Sequence, residues 1–188
     1  MRNPALVLDV GVKAVLVALL AFGAFSGLQQ FEGKAFGARL IFYPIALVVV
    51  PIAWWLAGRS PPYPYAMDIL LALPFLIDVL GNAFDLYDSV DRWDDANHLV
   101  NWAILSSAFG QLLIRLRIGR CEAFGLVVGF GATTAILWEF AEYFTFIRHS
   151  DELQTAYTDT LGDLALGLTG SVVAAAITVW LAGRARVP

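Results

Sequence analysis

Two long stretches of the chain contain no charged residue, and this feature limits the possible folds more than any other. Leu40–Ala57 and Leu164–Ala182 are each about as long as a helix that crosses the hydrocarbon core of a bilayer. Apolar residues make up 59% of the 188 residues and charged residues 15%, whereas soluble domains contain about 45–50% and about 25%. A soluble protein of this size has too little interior to bury so much apolar surface. We therefore expect an integral membrane protein.

Four further apolar segments carry polar or charged residues but are also long enough to cross a membrane. Lys13 lies in the first of them and can pair with Asp9, which precedes it by one helical turn. Six helices of about 20 residues leave too little chain for a soluble domain. We predict an all-α fold, a polytopic membrane helix bundle with about six transmembrane helices, forming a single transmembrane domain over residues 1–188. The predicted spans are Val10–Leu28, Leu40–Ala57, Met67–Tyr87, Ala96–Ile114, Ala123–Ile147 and Leu164–Ala182.

Basic residues in the loops between these spans predict the orientation. One side of the membrane receives seven of them and the other side four. Cytoplasmic loops carry the excess of lysine and arginine, so we expect both termini, and the Arg59–Tyr65 loop, in the cytoplasm. The larger set is Arg2, Arg59, Arg115, Arg117, Arg120, Arg184 and Arg186, and the smaller set is Lys34, Arg39, Arg92 and Arg148.

Net charge and cysteine content exclude other classes of protein. The net charge of −4 and a pI of about 5.0 argue against a nucleic-acid partner. Cys121 is the single cysteine, so the chain has no internal disulfide and no thiolate metal site of its own.

Acidic residues concentrate on the side that this topology places outside. Twelve of the 16 acids fall in outer loops or in the outer thirds of spans. A carboxylate at the centre of a span costs about 2.5–3.5 kcal/mol on the insertion scale, so the imbalance favours a bound cation or shared protons. The twelve are Glu32, Asp85, Asp88, Asp91, Asp94, Asp95, Glu139, Glu142, Asp151, Glu152, Asp159 and Asp163.

Three pairs of side chains are spaced so that both members share one helical face. Small residues at Gly167, Gly170 and Ala174 continue the face of the last pair, which is typical of closely packed helices. Asp163 is therefore expected to point into the bundle. The pairs are Asp95 with His98, Glu139 with Glu142, and Asp159 with Asp163.

Carboxylate oxygens with one imidazole are suitable ligands for a divalent metal ion. Mg²⁺, Ca²⁺ and Mn²⁺ prefer oxygen ligands, and the histidine also allows Zn²⁺ or Fe. We therefore predict all six paired residues as metal ligands, and the sequence does not choose among these ions.

Each of these residues also has an interpretation without a ligand. His98 could be a packed, hydrogen-bonded histidine, and Glu139 with Glu142 could form a clasp to Arg148. Asp159 could be the N-cap of the last span, where its carboxylate would accept backbone hydrogen bonds.

Two patterns outside these pairs also predict local structure. Asp78, Asn82, Asp85 and Asp88 recur every three or four residues, so they are expected to line one face of the third span. Asp78 lies deepest and could be protonated. Gly125-x-x-x-Gly129 is expected to form a packing surface.

Three short motifs occur in the order Asp94–Leu99 (DDANHL), Trp138–Tyr143 (WEFAEY) and Asp159–Leu164 (DTLGDL). This order resembles a family of small bacterial and archaeal inner-membrane proteins, the YjdF type, and more loosely the VanZ-like proteins associated with glycopeptide resistance. The resemblance covers about residues 85–175. It implies a polytopic fold in the cytoplasmic membrane and a shared acidic site, without an established activity.

Three functional classes remain open from the sequence. The site could hold the metal of a membrane enzyme that acts on a lipid or lipid-linked substrate. It could instead belong to a cation or proton-coupled transporter. It could also stabilise a non-catalytic subunit that docks a membrane protein partner. Membrane lipid is an expected partner, and a homo-oligomer is possible. We predict a cation-binding membrane protein with an outward-facing acidic site.

Overall fold

The computed structural model describes residues 3–59, 62–145 and 147–184, and these residues form helices and short connections. The all-α prediction is confirmed for this part of the chain. Ser60 and Pro61 of the predicted loop, and Arg2 and Arg186 of the orientation argument, lie outside the described residues. The helices are α1 (Pro4–Phe25), α2 (Phe36–Leu56), α3 (Tyr65–Ala83), α4 (Leu86–Ser89), α5 (Trp93–Arg115), α6 (Arg120–Thr145) and α7 (Ala156–Arg184).

Five stretches of the described chain are long and apolar enough to cross a membrane: α1, α2, α3, α7 and Arg120–His149, which contains α6. The chain is therefore a multi-pass membrane protein. α5 has 23 residues, about 34 Å at 1.5 Å per residue, but polar residues in its first half lower its hydropathy. A sixth span through α5 stays a prediction.

The chain forms two compact units, Met1–Trp93 and Asp94–Pro188, which are described separately. In the first unit, α1 and α3 pack against each other and against α2. Phe25 and Ile41 are largely exposed, whereas Leu16 is fully buried. Exposed apolar side chains on long helices suit contact with lipid, so the polar groups of this unit are the ones that need partners inside it.

Asp78 is the best-partnered of these polar groups. Its carboxylate accepts hydrogen bonds from the Arg39 guanidinium, from the Tyr43 hydroxyl at 2.6 Å and from the Tyr87 hydroxyl at 2.8 Å. A cation and two further donors thus surround the deepest acid of α3. Asp78 is therefore held by an ion pair and hydrogen bonds inside the unit.

The predicted third span, Met67–Tyr87, ends earlier than expected. α3 stops at Ala83, and Asp85 adopts a left-handed backbone conformation (φ 57°) before α4 begins. Such a residue interrupts the regular rotation of successive side chains around a helix. The two later acids of the predicted stripe are therefore separated from Asp78 and Asn82, and the prediction of one continuous face was wrong.

Small residues bring the helices of the second unit close together. A side chain on Gly170 of α7 would collide with the α5 backbone at Leu99 and Ala103. Gly167 and Ala174 are also buried. The closely packed face predicted for the last span is confirmed.

Two other predictions for this unit were wrong. α7 begins at Ala156, eight residues before the predicted Leu164, so Asp159 lies in its first turn rather than at its N-cap. Gly125 and Gly129 are exposed, and a side chain added at either would meet nothing within 4 Å among the described residues. They do not form a packing surface within this chain.

The interior of the second unit consists of layers that repeat every four residues along each helix. In one layer, the Trp102 ring and Ala135 fill the space that a side chain on Gly167 would take. In the next layer, the Ser106 hydroxyl lies 3.1 Å from that of Ser171, and both residues are fully buried. This packing closes the unit below the residues described next.

Candidate functional site

The second unit brings three helix ends together at one of its ends. α5 and α7 begin there and α6 ends there, because consecutive helices run in opposite directions. His98 of α5, Glu139 of α6 and Asp163 of α7 each lie about two turns from these helix ends. The layer that contains Trp102 comes one turn deeper. The polar side chains therefore form the outermost interior layer of the unit.

His98 occupies the centre of this layer. Its Nδ1 atom is 3.8 Å from Oε1 of Glu139, and its Nε2 atom is 3.8 Å from Oδ1 of Asp163. Nε2 is also 3.6 Å from Oδ1 of Asp94, one turn earlier on the same helix. The imidazole thus has carboxylates on both of its nitrogen edges, supplied by three helices.

Two overlapping groups have the spacing of metal ligands. Asp94, His98 and Asp163 form one group, and His98, Glu139 and Glu142 form the other. In each group, one ligand atom per residue lies within 4.8 Å of the others. A single ion about 2.0–2.6 Å from each ligand atom fits between atoms at such separations. The two groups face different nitrogens of the imidazole, because Asp94 and Asp163 lie near Nε2 and Glu139 lies near Nδ1, so one ion can take its ligands from only one group.

Burial differs in a consistent way across the site. His98, Glu139 and Asp163 are buried, whereas Asp94 and Glu142 are partly exposed. The partly exposed acids lie nearer the end of the unit and the buried ones nearer the Trp102 layer. The site is therefore reachable from the helix ends and closed at its base.

Like charges crowd Asp163. Its carboxylate is close enough to Asp94, Asp95, Glu139 and Asp159 to be repelled by each of them. Thr160 donates a hydrogen bond to Glu139, which orients that carboxylate but adds no positive charge. Carboxylates this close together are stable only with a cation or with protons among them.

Arginines mark the opposite end of the same three helices. Arg115 is the last residue of α5, Arg120 the first of α6 and Arg184 the last of α7. The acidic layer and these arginines are therefore separated by nearly the full length of the unit. The second unit is strongly polarised along its helices.

The structure brings together four of the six predicted ligands. They are His98, Glu139, Glu142 and Asp163. Asp95 and Asp159 are exposed and belong to neither group of ligand atoms, so they contribute charge around the site.

Asp94 is the ligand that the sequence reasoning did not select. It precedes His98 by four residues and Asp95 precedes it by three, and both spacings lie on the same helical face. Only the rotation of α5 against its neighbours separates the two aspartates. The motif DDANHL contained both of them, so the doubled aspartate was the available signal.

Comparison with known proteins gives one match. A family model described as "Predicted membrane protein (DUF2238)" matches residues 11–184. The YjdF protein is a member of that family, so the predicted resemblance to the YjdF type is confirmed, whereas the looser resemblance to VanZ-like proteins stays a prediction. No curated protein and no solved structure matches the chain.

Proposed function

The chain belongs to this family of predicted membrane proteins, and on that premise we propose that it binds one divalent metal ion through its second unit. The observation that carries the proposal is the position of His98, with Glu139 on one edge of its ring and Asp94 with Asp163 on the other. A histidine surrounded by four carboxylates in two overlapping ligand groups matches the ligand preferences of divalent metals. The proposed ligands are Asp94, Nε2 of His98 and Asp163, and Glu139 then faces Nδ1, the other ring nitrogen, and orients the imidazole.

The donor set narrows the choice of ion. Imidazole suits transition metals such as Fe²⁺ and Zn²⁺, whereas carboxylates suit Mn²⁺, Mg²⁺ and Ca²⁺, so Mn²⁺ is the transition-metal ion that best fits a site dominated by carboxylates. We therefore take Mn²⁺ as the first probe, with Mg²⁺, Ca²⁺ and Zn²⁺ as comparisons.

We also propose that α5 is the sixth span, that both termini are cytoplasmic and that the site faces outward in a bacterial or archaeal cytoplasmic membrane. Arg115, Arg120 and Arg184 at one end of the unit support this orientation, because cytoplasmic ends are enriched in basic residues. The acidic layer then lies near the level of the outer lipid headgroups.

A membrane enzyme that acts on a lipid or lipid-linked phosphate is the activity that this position favours. A bound divalent metal would supply Lewis-acid polarisation of a phosphoryl oxygen or activation of water. Asp94, His98 and Asp163 would hold the ion, Glu139 would orient the imidazole, and the partly exposed Glu142 would border the approach to the site. The looser similarity to VanZ-like proteins stays a prediction, and the proposal does not depend on it.

A transporter is less well supported by the second unit. An ion that crossed it would have to pass the layers of Trp102, Ser106 and Ser171, which are buried and in contact. A non-catalytic subunit remains compatible with the same metal site, since the metal would then stabilise the three helix ends.

The test is metal binding by the purified full chain. Elemental analysis should find about one divalent ion per chain, and the metal-free protein should bind Mn²⁺ in a titration followed by electron paramagnetic resonance. Glu139→Gln and Asp163→Asn should each weaken Mn²⁺ binding by about 10- to 100-fold or more. Asp151→Asn is the matched control, because Asp151 is an exposed acid of the same unit and the change removes the same charge.

Absence of bound metal, together with no thermal stabilisation by any of the four ions, would overturn the metal proposal. An equal loss of Mn²⁺ affinity in Asp151→Asn and Asp163→Asn would mean that Asp163 acts only through its negative charge and is not a ligand. The enzyme proposal has its own test, in which phospholipids and lipid-linked phosphates are supplied as substrates. Turnover that is unchanged in Glu139→Gln and Asp163→Asn would rule out catalysis at this site.

A further inference from the structure

A second buried polar cluster lies in the first unit, where α1 and α3 begin side by side. α2 connects α1 to α3 and runs in the opposite direction to both, so α1 and α3 start at the same end of the unit. Asp9 of α1 and Asp68 of α3 are 4% and 0% exposed. Two acids are thus buried in contact with one another at a helix–helix interface, far in sequence from the proposed metal ligands.

Lys13 forms ion pairs with both acids. Nζ of Lys13 donates a hydrogen bond to Oδ2 of Asp68 at 2.5 Å and lies 3.4 Å from Oδ1 of Asp9. The Tyr63 hydroxyl donates to the same Oδ2 of Asp68. Both hydrogen-bond donors therefore bind Oδ2 of Asp68. Oδ1 of Asp9 and Oδ1 of Asp68 are buried and accept no hydrogen bond from the described residues.

The charges of this cluster do not balance. Two carboxylates and one ammonium group leave one negative charge buried. Asp78 in the same unit differs, because it pairs with Arg39 and also accepts hydrogen bonds from two tyrosines. Buried charges without a partner are normally neutralised by taking up a proton. The cluster is therefore one positive charge short.

The two carboxyl groups also share the same ammonium group and repel each other. A carboxylate only accepts hydrogen bonds, so a bond between two carboxyl groups requires a proton on one of them. The same proton would supply both the missing positive charge and the missing donor.

Among the residues that the structure describes, the other groups near the pair do not supply that charge. The Tyr63 hydroxyl donates to Asp68, and the Tyr63 ring contacts Tyr65 and Trp54 of α2. Burial, and then the hydrogen bond to Asp68 and the charge of that residue, raise the pKa of Tyr63. The phenol therefore keeps its proton and acts as a neutral donor.

We propose that Asp9 and Asp68 form a proton-binding site that takes up one proton per chain and releases it as the pH rises. On uptake, a carboxylate oxygen forms an O–H bond with a proton from water and donates it to the second carboxylate. On release, that O–H bond breaks and the proton returns to water. Lys13 keeps the remaining carboxylate paired in both states. This site is separate from the proposed metal site and does not depend on it.

Infrared spectroscopy of the full chain in detergent tests this site directly. The wild type should show the carbonyl stretch of a protonated carboxyl group at neutral pH, and the band should fade as the pH rises. In Asp9→Asn and in Asp68→Asn the band should be weaker than in the wild type by the contribution of one carboxyl group, because each variant leaves one carboxylate for one lysine. Asp78→Asn is the matched control: it removes a buried acid that already has its own cation, so the band should keep its full intensity.

Thermal unfolding provides a second measurement that does not rely on band assignment. If the folded state holds a proton that the unfolded chain releases, stability must fall as the pH rises through proton release. The fall should be smaller in Asp9→Asn than in the wild type. A carboxyl band of unchanged intensity in Asp9→Asn or in Asp68→Asn would overturn the shared site. A band that is weaker in both variants but that stays constant at alkaline pH in the wild type would also overturn it, since the proton would then be fixed.

Discussion

Asp94 and Asp95 are adjacent in sequence but have different surroundings. Oδ1 of Asp94 is 3.6 Å from Nε2 of His98, whereas Asp95 is exposed. We expect Asp94→Asn to weaken Mn²⁺ binding by about 10- to 100-fold and Asp95→Asn to weaken it much less. Both changes remove one negative charge from the same turn, so they differ mainly in the loss of a ligand. Titration of the metal-free protein with Mn²⁺ measures both affinities.

The comparison between these two variants has a clear contrary result. Equal losses of affinity would mean that the two aspartates act only through their charge. A larger loss in Asp95→Asn would restore the ligand that the sequence alone predicted, and it would require α5 to be rotated relative to its position in this structure.

A surface ion pair of the first unit predicts a pH effect. Nζ of Lys34 is 2.5 Å from Oδ2 of Asp88, and its hydrogen bond lowers the pKa of Asp88 below the ordinary 3.8, with partial burial opposing the shift. The pair should stabilise the folded state above pH 3.8 and stop doing so as the pH falls through the lowered pKa. Because the Asp88 side chain is 58% exposed, we expect a small effect on stability.

Substitution of Lys34 tests this assignment. In Lys34→Met, the pKa of Asp88 should return towards its ordinary value, whereas Lys34→Arg should keep it low. Carbon NMR of the aspartate carboxyl groups in detergent micelles measures the titration. An identical Asp88 midpoint in wild type and Lys34→Met would show that the pair does not form in solution.

At the scale of the helices, the apolar runs predicted where the chain crosses a membrane but not where each helix ends. Hydropathy reports contact with lipid, so it gave no signal for the polar first turns of α7, which begin at Ala156. It also gave no signal for the left-handed Asp85 that ends the α3 region. Four positions of the two ligand groups followed from depth and spacing, namely His98, Glu139, Glu142 and Asp163. The choice between Asp94 and Asp95 did not, because it depends on how α5 is rotated against α6 and α7.

Close packing of α7 on α5 predicts the effect of adding one methyl group. Gly170→Ala would place a Cβ atom against the α5 backbone at Leu99 and Ala103, and backbone cannot move aside as a flexible side chain can. We expect a loss of about 1–3 kcal/mol in the free energy of unfolding, measured by denaturant titration in micelles.

Gly129→Ala is the matched control for this substitution. Gly129 is also helical, but a Cβ atom there would meet nothing within 4 Å among the described residues. Alanine should therefore be neutral or should stabilise the helix by up to about 1 kcal/mol. If Gly170→Ala were as stable as Gly129→Ala, α5 and α7 would not be in close contact at Leu99.

At the scale of the whole molecule, the modest net charge of −4 conceals two different arrangements of acids. In the first unit, Asp78 and Asp88 each have a basic partner, Arg39 and Lys34. In the second unit, acids gather at one end of the helices and arginines mark the other end. We propose a metal ion for the acids around His98 and a proton for the buried pair Asp9 and Asp68.

The sidedness of the chain around α5 tests the proposed topology. The first half of α5 is polar because it carries the site. Asn97 and His98 are buried within the structure, so lipid need not contact them. The helix can therefore still cross the membrane. If it does, Ser89 and Cys121 lie on opposite sides of the membrane. A membrane-impermeant maleimide added to intact cells should then label Ser89→Cys in a Cys121→Ser background and should leave native Cys121 unlabelled until the cells are permeabilised.

Labelling of both positions from the same side would mean that α5 does not cross the membrane, and the two termini would then lie on opposite sides. Labelling of Cys121 alone would instead invert the orientation and place the acidic layer in the cytoplasm, because the arginine end of the second unit would face outward.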